Sequence, residues 1–335
     1  MSARILSGRE GVLESVEVLS KGGVVGVPTE TVYGLAGNAF DPTAIVRIFE
    51  SKARPLTDPL IVHLPKADWI ERVVRFSSDR QRNMVNKLSK AFWPGPLTLL
   101  LPKHPDLPDL VTAGSEKVAL RVTSQPLFQE VILGVGSPLA APSANRFGKI
   151  SPTSASDVLI ELGEYIDLIL DGGGCQHGLE STIVSVGEDA LEILRPGPIT
   201  EEYLKEFGHI TPQRGGESAP GSLPGHYAPQ KRLQIMQNGS DRSASLSCSK
   251  RVGLMLFNTY FKEIHGEYSE IEILSESGDL REAAANFYGA LRRLDQSDVE
   301  LILAQPVAEE GIGVAIMDRL RRASYGSIHG TGHHR

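Results

Sequence analysis

The sequence predicts a mixed α/β fold (α/β or α+β) with a second, smaller domain of Rossmann-like α/β type. Strand-like and helix-like segments alternate over the first 210 or so residues. A stretch dense in Gly, Pro and Ser then occupies 211–230, and a second alternating unit follows it. Because the 335 residues also exceed the usual size of one domain, we predict domains at 1–210 and 231–335, joined by a linker at 211–230.

The elements of the first domain follow from apolar runs and helix-start signals. The β-branched run GGVVGVP (22–28) predicts a strand, and 41–52 predicts a helix with Asp41 as N-cap and Pro42 in its first turn. Helices are also predicted at 77–91 and 154–163. Further predicted strands, several of them apolar enough for burial on both faces, are PLIVHL (59–64), PLTLLLP (96–102), KVALRVT (117–123), IDLILD (166–171) and STIVSV (181–186).

The second domain shows the order strand, strand, helix, strand, helix in about 100 residues, which is typical of a small Rossmann-like unit. Its predicted strands are RVGLMLF (251–257), EIEIL (270–274) and VELILAQPV (299–307). A long amphipathic helix is predicted at 279–295 and a closing helix at 312–323.

Composition and charge exclude several classes of protein. With 41% hydrophobic and 22% charged residues, the chain resembles ordinary globular proteins, and its net charge of −7 argues against broad affinity for nucleic acid or anionic membranes. The two cysteines, Cys175 and Cys248, have no metal-ligand spacing and are expected to be reduced thiols of a cytosolic protein. Without an apolar run of about 18 residues or a signal-peptide pattern, the chain is expected to be cytoplasmic.

Common nucleotide and metal motifs are absent from the sequence. It contains no G-x-x-x-x-G-K-[ST], and the glycines of DGGGCQHG (171–178) do not fit G-x-G-x-x-G, so they favour a turn after a strand over a phosphate cradle. No His-Glu-x-x-His is present. The adjacent His333 and His334 belong to the chain's tail and favour a frayed terminus over a zinc site.

Short polar clusters border the predicted apolar strands. Taken singly, each is explained by turns and solvated cations; together they match a crevice at the carboxyl ends of strands. The clusters are PTETVYG (28–34), KARPLTDP (52–59), Arg121 within its strand, APSANRFGKISPT (141–153), GLESTIV (178–184) and LRPGPI (194–199).

These clusters hold complementary parts for an anionic ligand. Cations suited to a polyphosphate are Lys52, Arg54, Lys149 and Arg195. Neutral hydrogen-bonding groups suited to a small polar substrate are Thr29, Thr31, Ser143, Asn145, Ser181 and Thr182. The residues thus predict a pocket for an anion without naming the ligand.

Eight ordered motifs resemble the YrdC-like family in its long two-domain form, the L-threonylcarbamoyladenylate synthases. They are PTETVYGL, KARPLTDPLIVH, WPGPLTLLL, VALRV, APSAN, STIV, LRPGPI and a later PG followed by HYAP. The resemblance is strong over 9–200, clear in the linker and looser beyond it. Its specificity comes from the ensemble, since K-x-R alone carries no signal.

The resemblance implies a twisted mixed sheet with a large basic crevice and a defined reaction. L-threonine, bicarbonate or CO₂ and ATP would give threonylcarbamoyl-AMP and pyrophosphate, the first step toward threonylcarbamoyladenosine in tRNA. Mg²⁺ would arrive with ATP, with no metal held by protein side chains. The adenylate would pass to the threonylcarbamoyl-transferase complex that modifies tRNA, with at most weak RNA binding by this chain and no membrane partner.

The resemblance also implies roles for individual residues. Lys52 and Arg54 correspond to the family's catalytic K-x-R pair. L-threonine would be bound by Thr31, His63, Arg121, Ala141 and Ser181. ATP would be bound by Arg54, Asp58, Lys117, Ser143, Ser151, Arg195 and Tyr227. Two positions depart from the family pattern, since Lys117 stands where a small hydroxyl residue is usual and Ala219 where serine is usual.

Three alternatives stay open at this stage. Residues 216–229 are predicted to fold over the nucleotide as a lid, with Tyr227 on ATP and Gly221 and Gly225 permitting the turns, but Tyr227 fits a docking role for the linker equally well. An RNA-binding factor on the same fold is the second alternative, which the negative net charge weakens. A carbamoyl-transfer domain of the hydrogenase-maturation type is the third, although the chain lacks the zinc-finger-like and acylphosphatase-like regions that accompany it.

Overall fold

The structure, a computed structural model, describes residues 2–212, 220–221, 225–236, 251–259 and 268–329. The chain divides into two compact units. The first comprises Met1–Phe147, Pro152–Gln176 and Glu180–Ser222, and the second comprises Gly148–Ser151, His177–Leu179 and Leu223–Arg335. Much of the predicted lid lies outside the described residues, as do Ala219, Cys248, His333 and His334.

A large mixed sheet is the centre of the first unit, as the sequence predicts. Within the described residues it has eleven strands in the order β1-β8-β2-β3-β7-β4-β6-β5-β9-β10-β11. The strands are β1 (Arg4–Ser7), β2 (Val25–Val27), β3 (Gly34–Asn38), β4 (Ile61–Leu64), β5 (Leu97–Pro102), β6 (Lys117–Val122), β7 (Leu139–Ala140), β8 (Leu168–Asp171), β9 (Thr182–Val186), β10 (Ala190–Arg195) and β11 (His209–Thr211).

Helices connect and cover these strands. The described residues of the first unit contain a 3₁₀ helix at Ala67–Arg72 and α1 (Gly8–Ser20), α2 (Pro42–Lys52), α3 (Asp79–Phe92), α4 (Asp109–Thr112), α5 (Pro126–Val135), α6 (Ala155–Leu162) and α7 (Glu201–Leu204). Every residue of β2, β4 and β9 is buried, which confirms the prediction of strands covered on both faces. The sequence did not predict α1, α5, β1, β3 or β10.

Helix α2 begins and ends as its sequence dictates. The Asp41 side chain accepts a hydrogen bond from the Thr43 backbone N–H at 2.9 Å, and Pro42 occupies the first turn, which confirms the predicted N-cap. At the other end Ala53 adopts a left-handed conformation, with φ 47° and ψ 42°. The helix therefore stops at Lys52, and the chain changes direction before Arg54.

The second unit has a parallel sheet, in agreement with the predicted Rossmann-like type. Its described strands are ordered β12-β15-β13-β14, and every pair is parallel. They are β12 (Arg232–Ile235), β13 (Val252–Leu256), β14 (Glu270–Ile273) and β15 (Leu301–Ala304), together with the helices α8 (Leu280–Gln296) and α9 (Gly313–His329). The sequence missed β12 and ended the last helix six residues early. Among the described residues, no helix has the length and apolar character needed to cross a membrane.

Candidate active site

Two of the predicted substrate residues lie side by side on neighbouring strands. β4 and β6 are parallel, and their register pairs His63 with Arg121. Residues paired in this way point to the same face of a sheet, so the imidazole and the guanidinium share one surface. Both side chains are buried, with His63 3% and Arg121 2% exposed. The fold thus places an aromatic base and a cation together at the centre of the large sheet.

The Arg121 guanidinium is held by polar groups from the segment after β2. Its Nη2 donates to Thr31 Oγ1 at 3.0 Å and lies 3.5 Å from Glu30 Oε2. The Thr31 hydroxyl is in turn 2.9 Å from that of Thr29. Burial lowers the pKa of Arg121, and the Glu30 carboxylate opposes that shift. Among the described residues, Arg121 Nε has no hydrogen-bond partner.

His63 is neutral at physiological pH in this environment. Burial lowers its pKa well below the usual range, and the charge of Arg121 lowers it further, against a hydrogen bond to the backbone of Ala141. The Ala141 N–H donates to the carbonyl of Ile61 at 2.9 Å, which fixes this segment on β4. His63 Nδ1 has no partner in the part of the chain that the structure describes. A neutral imidazole can donate to or accept from a ligand there.

Ser181 forms hydrogen bonds with β5 and with a second buried arginine. Its hydroxyl is 2.7 Å from that of Thr98 on β5, the strand next to β6. Arg195 donates through Nη2 to Ser181 Oγ at 3.1 Å and to the Ser181 carbonyl at 3.0 Å. A side chain at Gly197 would lie within 2.5 Å of the Thr182 nitrogen, so the P-G-P turn can pack here only with glycine. The turn and the arginine together fix the position of Ser181.

The K-x-R pair is divided by the left-handed Ala53. Lys52, at the end of α2, is 1% exposed, and its Nζ donates to the carbonyls of Ser143 at 2.5 Å and Asn145 at 2.6 Å. Burial lowers the pKa of Lys52 well below its usual value, and the nearby charge of Arg54 acts in the same direction. Lys52 therefore fixes the A-P-S-A-N loop through these two hydrogen bonds.

Arg54 is bound to the turn that follows it. Its Nη2 forms an ion pair with Asp58 Oδ2 at 2.9 Å and donates to the carbonyl of Pro59 at 2.7 Å. Burial raises the pKa of Asp58, whereas Arg54, Lys52, the backbone N–H of Gly221 and Arg195 all lower it. Three cations and one backbone N–H therefore act on this single carboxylate.

The strand directions differ from the simple expectation of one edge lined by carboxyl ends. β7 is antiparallel to both β3 and β4, so the A-P-S-A-N loop leaves β7 at the edge where β4 begins. β9 is parallel to β5, and β5 is antiparallel to β6, so Ser181 lies before the amino end of β9 and near the carboxyl end of β6. The prediction that the polar clusters lie at the carboxyl ends of strands is therefore wrong for Ser181, which precedes its strand, and the polar segments lie at both edges of the sheet.

The remaining predicted residues of the first unit have definite partners. Lys117 Nζ donates to Ser185 Oγ at 3.2 Å, and its backbone N–H donates to Ser115 Oγ at 3.1 Å. Ser143 forms an isolated bridge with Gly34, which lies just after the P-T-E-T-V-Y segment. The ATP roles of Lys117 and Ser143 stay predictions.

Two predicted nucleotide residues, Ser151 and Tyr227, belong to the second unit. Ser151 is 1% exposed, and the adjacent Ile150 carbonyl accepts a hydrogen bond from Arg292 at 2.8 Å. Tyr227 is 3% exposed and has a left-handed backbone, with φ 67°. Its ring centroid lies 5.7 Å from that of Tyr288, and the Arg319 guanidinium is 5.3 Å from it. The second unit therefore holds Tyr227 in a packed position.

The glycine-rich segment after β8 forms a turn secured by Tyr33. The Tyr33 hydroxyl donates to the Gly173 carbonyl at 2.8 Å and accepts from the Gly172 N–H at 3.1 Å. Gly173 has φ 81°, and a side chain at Gly172 would lie 2.6 Å from Pro28. These contacts support the turn predicted from the sequence and explain the need for glycine.

Two buried side chains of the site are not predicted by the sequence. Glu30, beside Arg121, belongs to a short polar cluster, and Thr98, bonded to Ser181, belongs to an apolar strand. Glu30 could have been singled out because its neighbours Thr29 and Thr31 are uncharged, which leaves it as the one carboxylate of that segment. For Thr98 no local signal exists, since its role depends on the pairing of β5 with β6 and β9.

The left-handed alanine gives a test of how the K-x-R pair is positioned. Because this conformation costs an L-residue about 1–2 kcal/mol and glycine much less, we expect Ala53→Gly to raise the melting temperature and Ala53→Val to lower it. Ala113, with φ 52° at the end of α4, is a matched control. We expect Ala113→Gly to raise the melting temperature to a similar extent without changing turnover. Ala53→Gly alone should lower turnover, by a few-fold. Equal turnover in both variants would contradict a positioning role for Ala53.

Comparisons with known proteins identify the family of the chain. Residues 17–197 match the Sua5/YciO/YrdC family model, described as telomere recombination, and residues 199–324 match the family model of the threonylcarbamoyl-AMP synthase C-terminal domain. Threonylcarbamoyl-AMP synthase of Pyrococcus abyssi is 37% identical over 91% of this chain and 92% of its own length. The Bacillus subtilis enzyme of the same name is 37% identical over 95% of this chain and 94% of its own.

A solved structure extends the similarity to the whole fold. The crystal structure of P. abyssi Sua5 complexed with L-threonine has a TM-score of 0.84 and 33% identity, covering 98% of each chain. The family models and these relatives cover both units of the chain, and the ordered motifs of the first unit build its buried polar cluster. The chain therefore belongs to the Sua5/YciO/YrdC family, in its long two-domain Sua5 form.

Proposed function

We propose that this protein is an L-threonylcarbamoyladenylate synthase, a nucleotidyltransferase that converts L-threonine, bicarbonate or CO₂ and ATP to threonylcarbamoyl-AMP and pyrophosphate. One observation supports it above others: the first unit holds two buried cation clusters, Arg121 with Thr31 and Glu30, and Arg54 with Asp58 and Arg195. One cluster suits the carboxylate of an amino acid and the other suits a polyphosphate. Relatives 37% identical over most of the chain carry the name of this enzyme.

The threonine end of the site is built around Arg121. Its planar guanidinium would bind the substrate carboxylate, with the Thr31 and Ser181 hydroxyls and the backbone of Ala141 as further polar contacts. His63, whose pKa is lowered by burial, would receive the substrate hydroxyl at Nδ1, which has no partner among the described residues. A buried site that pairs every polar group of its ligand discriminates strongly against analogues that lack one.

The ATP end is built around the K-x-R pair. Lys52, Arg54 and Arg195 would stabilise the negative charge of the phosphates as the carbamate oxygen attacks the α-phosphorus and pyrophosphate leaves. Asp58 keeps Arg54 in position through their ion pair. Lys117, Ser143, Ser151 and Tyr227 are proposed as further nucleotide contacts. Catalysis on this scheme consists of alignment and charge stabilisation rather than covalent chemistry by the protein.

We propose that Mg²⁺ enters with ATP. Among the described residues, no three His, Cys, Asp or Glu side chains are grouped as a metal site, and the Asp58 carboxylate at the phosphate end is paired with Arg54. That arrangement fits a metal held mainly by phosphate oxygens and water. When bound, Mg²⁺ neutralises charge on the pyrophosphate that leaves.

A direct assay tests the proposed function. Purified protein is incubated with L-threonine, bicarbonate, ATP and Mg²⁺, and pyrophosphate and threonylcarbamoyl-AMP are measured. We expect both products in equal amounts and neither when any one of the three substrates is omitted. Folded protein that forms neither product would favour the RNA-binding alternative, for which titration with tRNA transcripts at several salt concentrations is the measurement.

The cellular setting is part of the proposal. Threonylcarbamoyl-AMP would pass to a transferase complex that modifies tRNA, so the enzyme would act in the cytoplasm, as the low cysteine count also favours. A carbamoyl-transfer role of the hydrogenase-maturation type would require carbamoyl phosphate as the donor. Replacement of threonine and bicarbonate by carbamoyl phosphate in the same assay separates the two activities.

Tyr227 tests the proposed lid. If its hydroxyl or ring contacts ATP, we expect Tyr227→Ala to raise the KM for ATP and to release more pyrophosphate per threonylcarbamoyl-AMP recovered, because the intermediates meet water. Tyr288→Ala is a matched control, since it removes the neighbouring ring of the same cluster. A loss of melting temperature with the product ratio unchanged in both variants would show that Tyr227 only docks the linker.

A further inference from the structure

Glu30 is a buried carboxylate fixed against the proposed threonine site. It is 6% exposed, and its Oε2 accepts a hydrogen bond from Thr123 Oγ1 at 2.5 Å and lies 3.5 Å from Arg121 Nη2. Thr123 is itself held, since its Oγ1 accepts from the Gln125 N–H at 3.2 Å and its carbonyl accepts from Gln129 Nε2 at 2.7 Å. The carboxylate therefore has a defined position at the start of α5.

The other oxygen of this carboxylate, Oε1, is available to a ligand as far as the described residues go. Within the described residues, Glu30 Oε1 has no hydrogen-bond partner, and the same holds for Arg121 Nε and His63 Nδ1. An unpaired buried polar atom costs free energy, so a ligand that supplies the missing partner is bound more tightly. The three atoms are an anionic acceptor, a cationic donor and a neutral ring nitrogen. They complement a ligand that carries both charges of a zwitterion and one hydroxyl.

Among the described residues, two titratable groups face Glu30, the Arg121 guanidinium and the Cys175 thiol. Burial is the main cause that raises the pKa of Cys175 to about 12; Glu30 and Asp157 also raise it, and Arg121 lowers it. The thiol therefore adds no charge at neutral pH. In the described parts of the chain, the cationic contact of Glu30 is thus the Arg121 guanidinium, at 3.5 Å, a distance longer than a close ion pair.

We propose that Glu30 binds the α-ammonium group of L-threonine and accepts the proton that is released when this nitrogen becomes a carbamate. The inference rests on the proposed function. In an α-amino acid the nitrogen and the carboxylate are bonded to the same carbon atom, the α-carbon. A threonine whose carboxylate is bound by Arg121 therefore presents its ammonium group close to the carboxylate that contacts the same guanidinium.

The proton balance explains why a carboxylate is needed. The ammonium group (R–NH₃⁺) and bicarbonate give the carbamate (R–NH–COO⁻), one water and one proton; a C–N bond forms and a C–O bond of bicarbonate breaks. The proton passes to Glu30 Oε1, so the carboxylate becomes neutral as the substrate nitrogen acquires its anionic group. An ionised Glu30 would repel that carbamate. Proton transfer to Glu30 removes the repulsion and returns a proton to solvent when the product leaves.

Glu30→Gln tests the proposal, because the amide keeps the shape and an acceptor for Thr123 but has no charge. We expect its turnover to fall by about 10²–10³-fold, the usual loss on removal of a general base. We also expect the remaining rate to rise with pH up to the pKa of the threonine amine, since only unprotonated substrate then reacts. Glu10→Gln, an exposed carboxylate on α1, is the matched control and should behave as the unaltered protein.

A binding measurement separates recognition from stability. (2S,3R)-2,3-Dihydroxybutanoate has a hydroxyl in place of the ammonium group, and by calorimetry the unaltered protein should bind L-threonine at least about tenfold more tightly, as one charged contact predicts. That preference should disappear in Glu30→Gln. If Glu30→Gln is unfolded, Glu30→Asp is measured instead. Its shorter side chain should weaken both the preference for L-threonine over the dihydroxy acid and the turnover rate.

The outcomes are distinguishable. If the unaltered protein forms no pyrophosphate from the three substrates, the proposed function fails. If it is active but a folded Glu30 variant keeps its rate, its pH profile and its preference for threonine, the assignment of Glu30 is overturned. A fall in melting temperature without a change in these three quantities would mean that Glu30 only supports Arg121.

Discussion

Removal of either cation of the K-x-R pair is expected to abolish most activity. We expect Lys52→Ala and Arg54→Ala each to lower kcat by about 10²–10³-fold, which corresponds to the loss of roughly 2–4 kcal/mol of transition-state stabilisation. The physical reason is that charge on the pyrophosphate grows as it leaves, and a preorganised buried cation stabilises that charge more than water does. Single-turnover formation of threonylcarbamoyl-AMP is the measurement, with the rate expressed per folded molecule.

Both variants are also expected to lose stability. Lys52 Nζ is the donor for two loop carbonyls, and the loss of these hydrogen bonds costs about 1–3 kcal/mol for each buried group left unpaired. Arg54→Ala leaves the Asp58 carboxylate buried without its main cation, a change worth about 3–5 kcal/mol in other buried pairs. We therefore expect lower melting temperatures in both variants.

A control on the same helix separates charge from general damage. Arg47 is an exposed cation of α2 that donates to the carbonyl of Gly22, and Arg47→Ala should keep nearly full turnover. For Arg54, the double substitution with Asp58→Asn removes the unpaired carboxylate, so its stability should recover while its activity does not. Near-normal turnover of Lys52→Ala or Arg54→Ala would contradict the catalytic role of that residue.

Local sequence signals were sufficient for much of the fold. The N-cap Asp41 and Pro42 predicted the start of α2, and long β-branched or leucine-rich runs predicted β4, β5, β6 and β9 within two residues. β3 was missed because its sequence, GLAGN, has no alternation and two glycines. β7, with only two residues, is below the length at which a pattern exists. These two strands are thus specified by their pairing within the sheet rather than by a local pattern.

The candidate site was predictable in its parts but not in its arrangement. The sequence predicts the K-x-R pair and the strand arginine as site residues. The left-handed conformation of Ala53, which divides the pair, has no signal in the letters K-A-R. Strand direction is set by the whole sheet. The placement of polar segments at both edges of that sheet could therefore not be deduced from individual strands. Glu30 was overlooked because a carboxylate between two threonines is also typical of a surface turn.

Substitution of Arg121 by lysine is expected to affect threonine far more than ATP. An ammonium group is a point charge and cannot form the paired contacts of a guanidinium with a carboxylate. We expect the KM for L-threonine to rise about 10- to 100-fold, the range for one charge-assisted hydrogen bond, and the KM for ATP to change by less than about threefold. Steady-state pyrophosphate release, with each substrate varied in turn, is the measurement. Arg75→Lys, at an exposed arginine, is the matched control.

The alternative for Arg121 is a purely structural ion pair with Glu30. The observed separation of 3.5 Å and the unpartnered Nε make that pair incomplete within the described residues, which favours a ligand as the missing partner. L-Threoninol, which lacks the carboxylate, distinguishes the two roles. The unaltered protein should bind L-threonine much more tightly than threoninol, and Arg121→Lys should lose most of that difference. Equal rises in both KM values together with a large fall in melting temperature would instead show that Arg121 acts on the fold, because a structural ion pair supports both substrate sites equally and makes no distinction between a ligand with a carboxylate and one without.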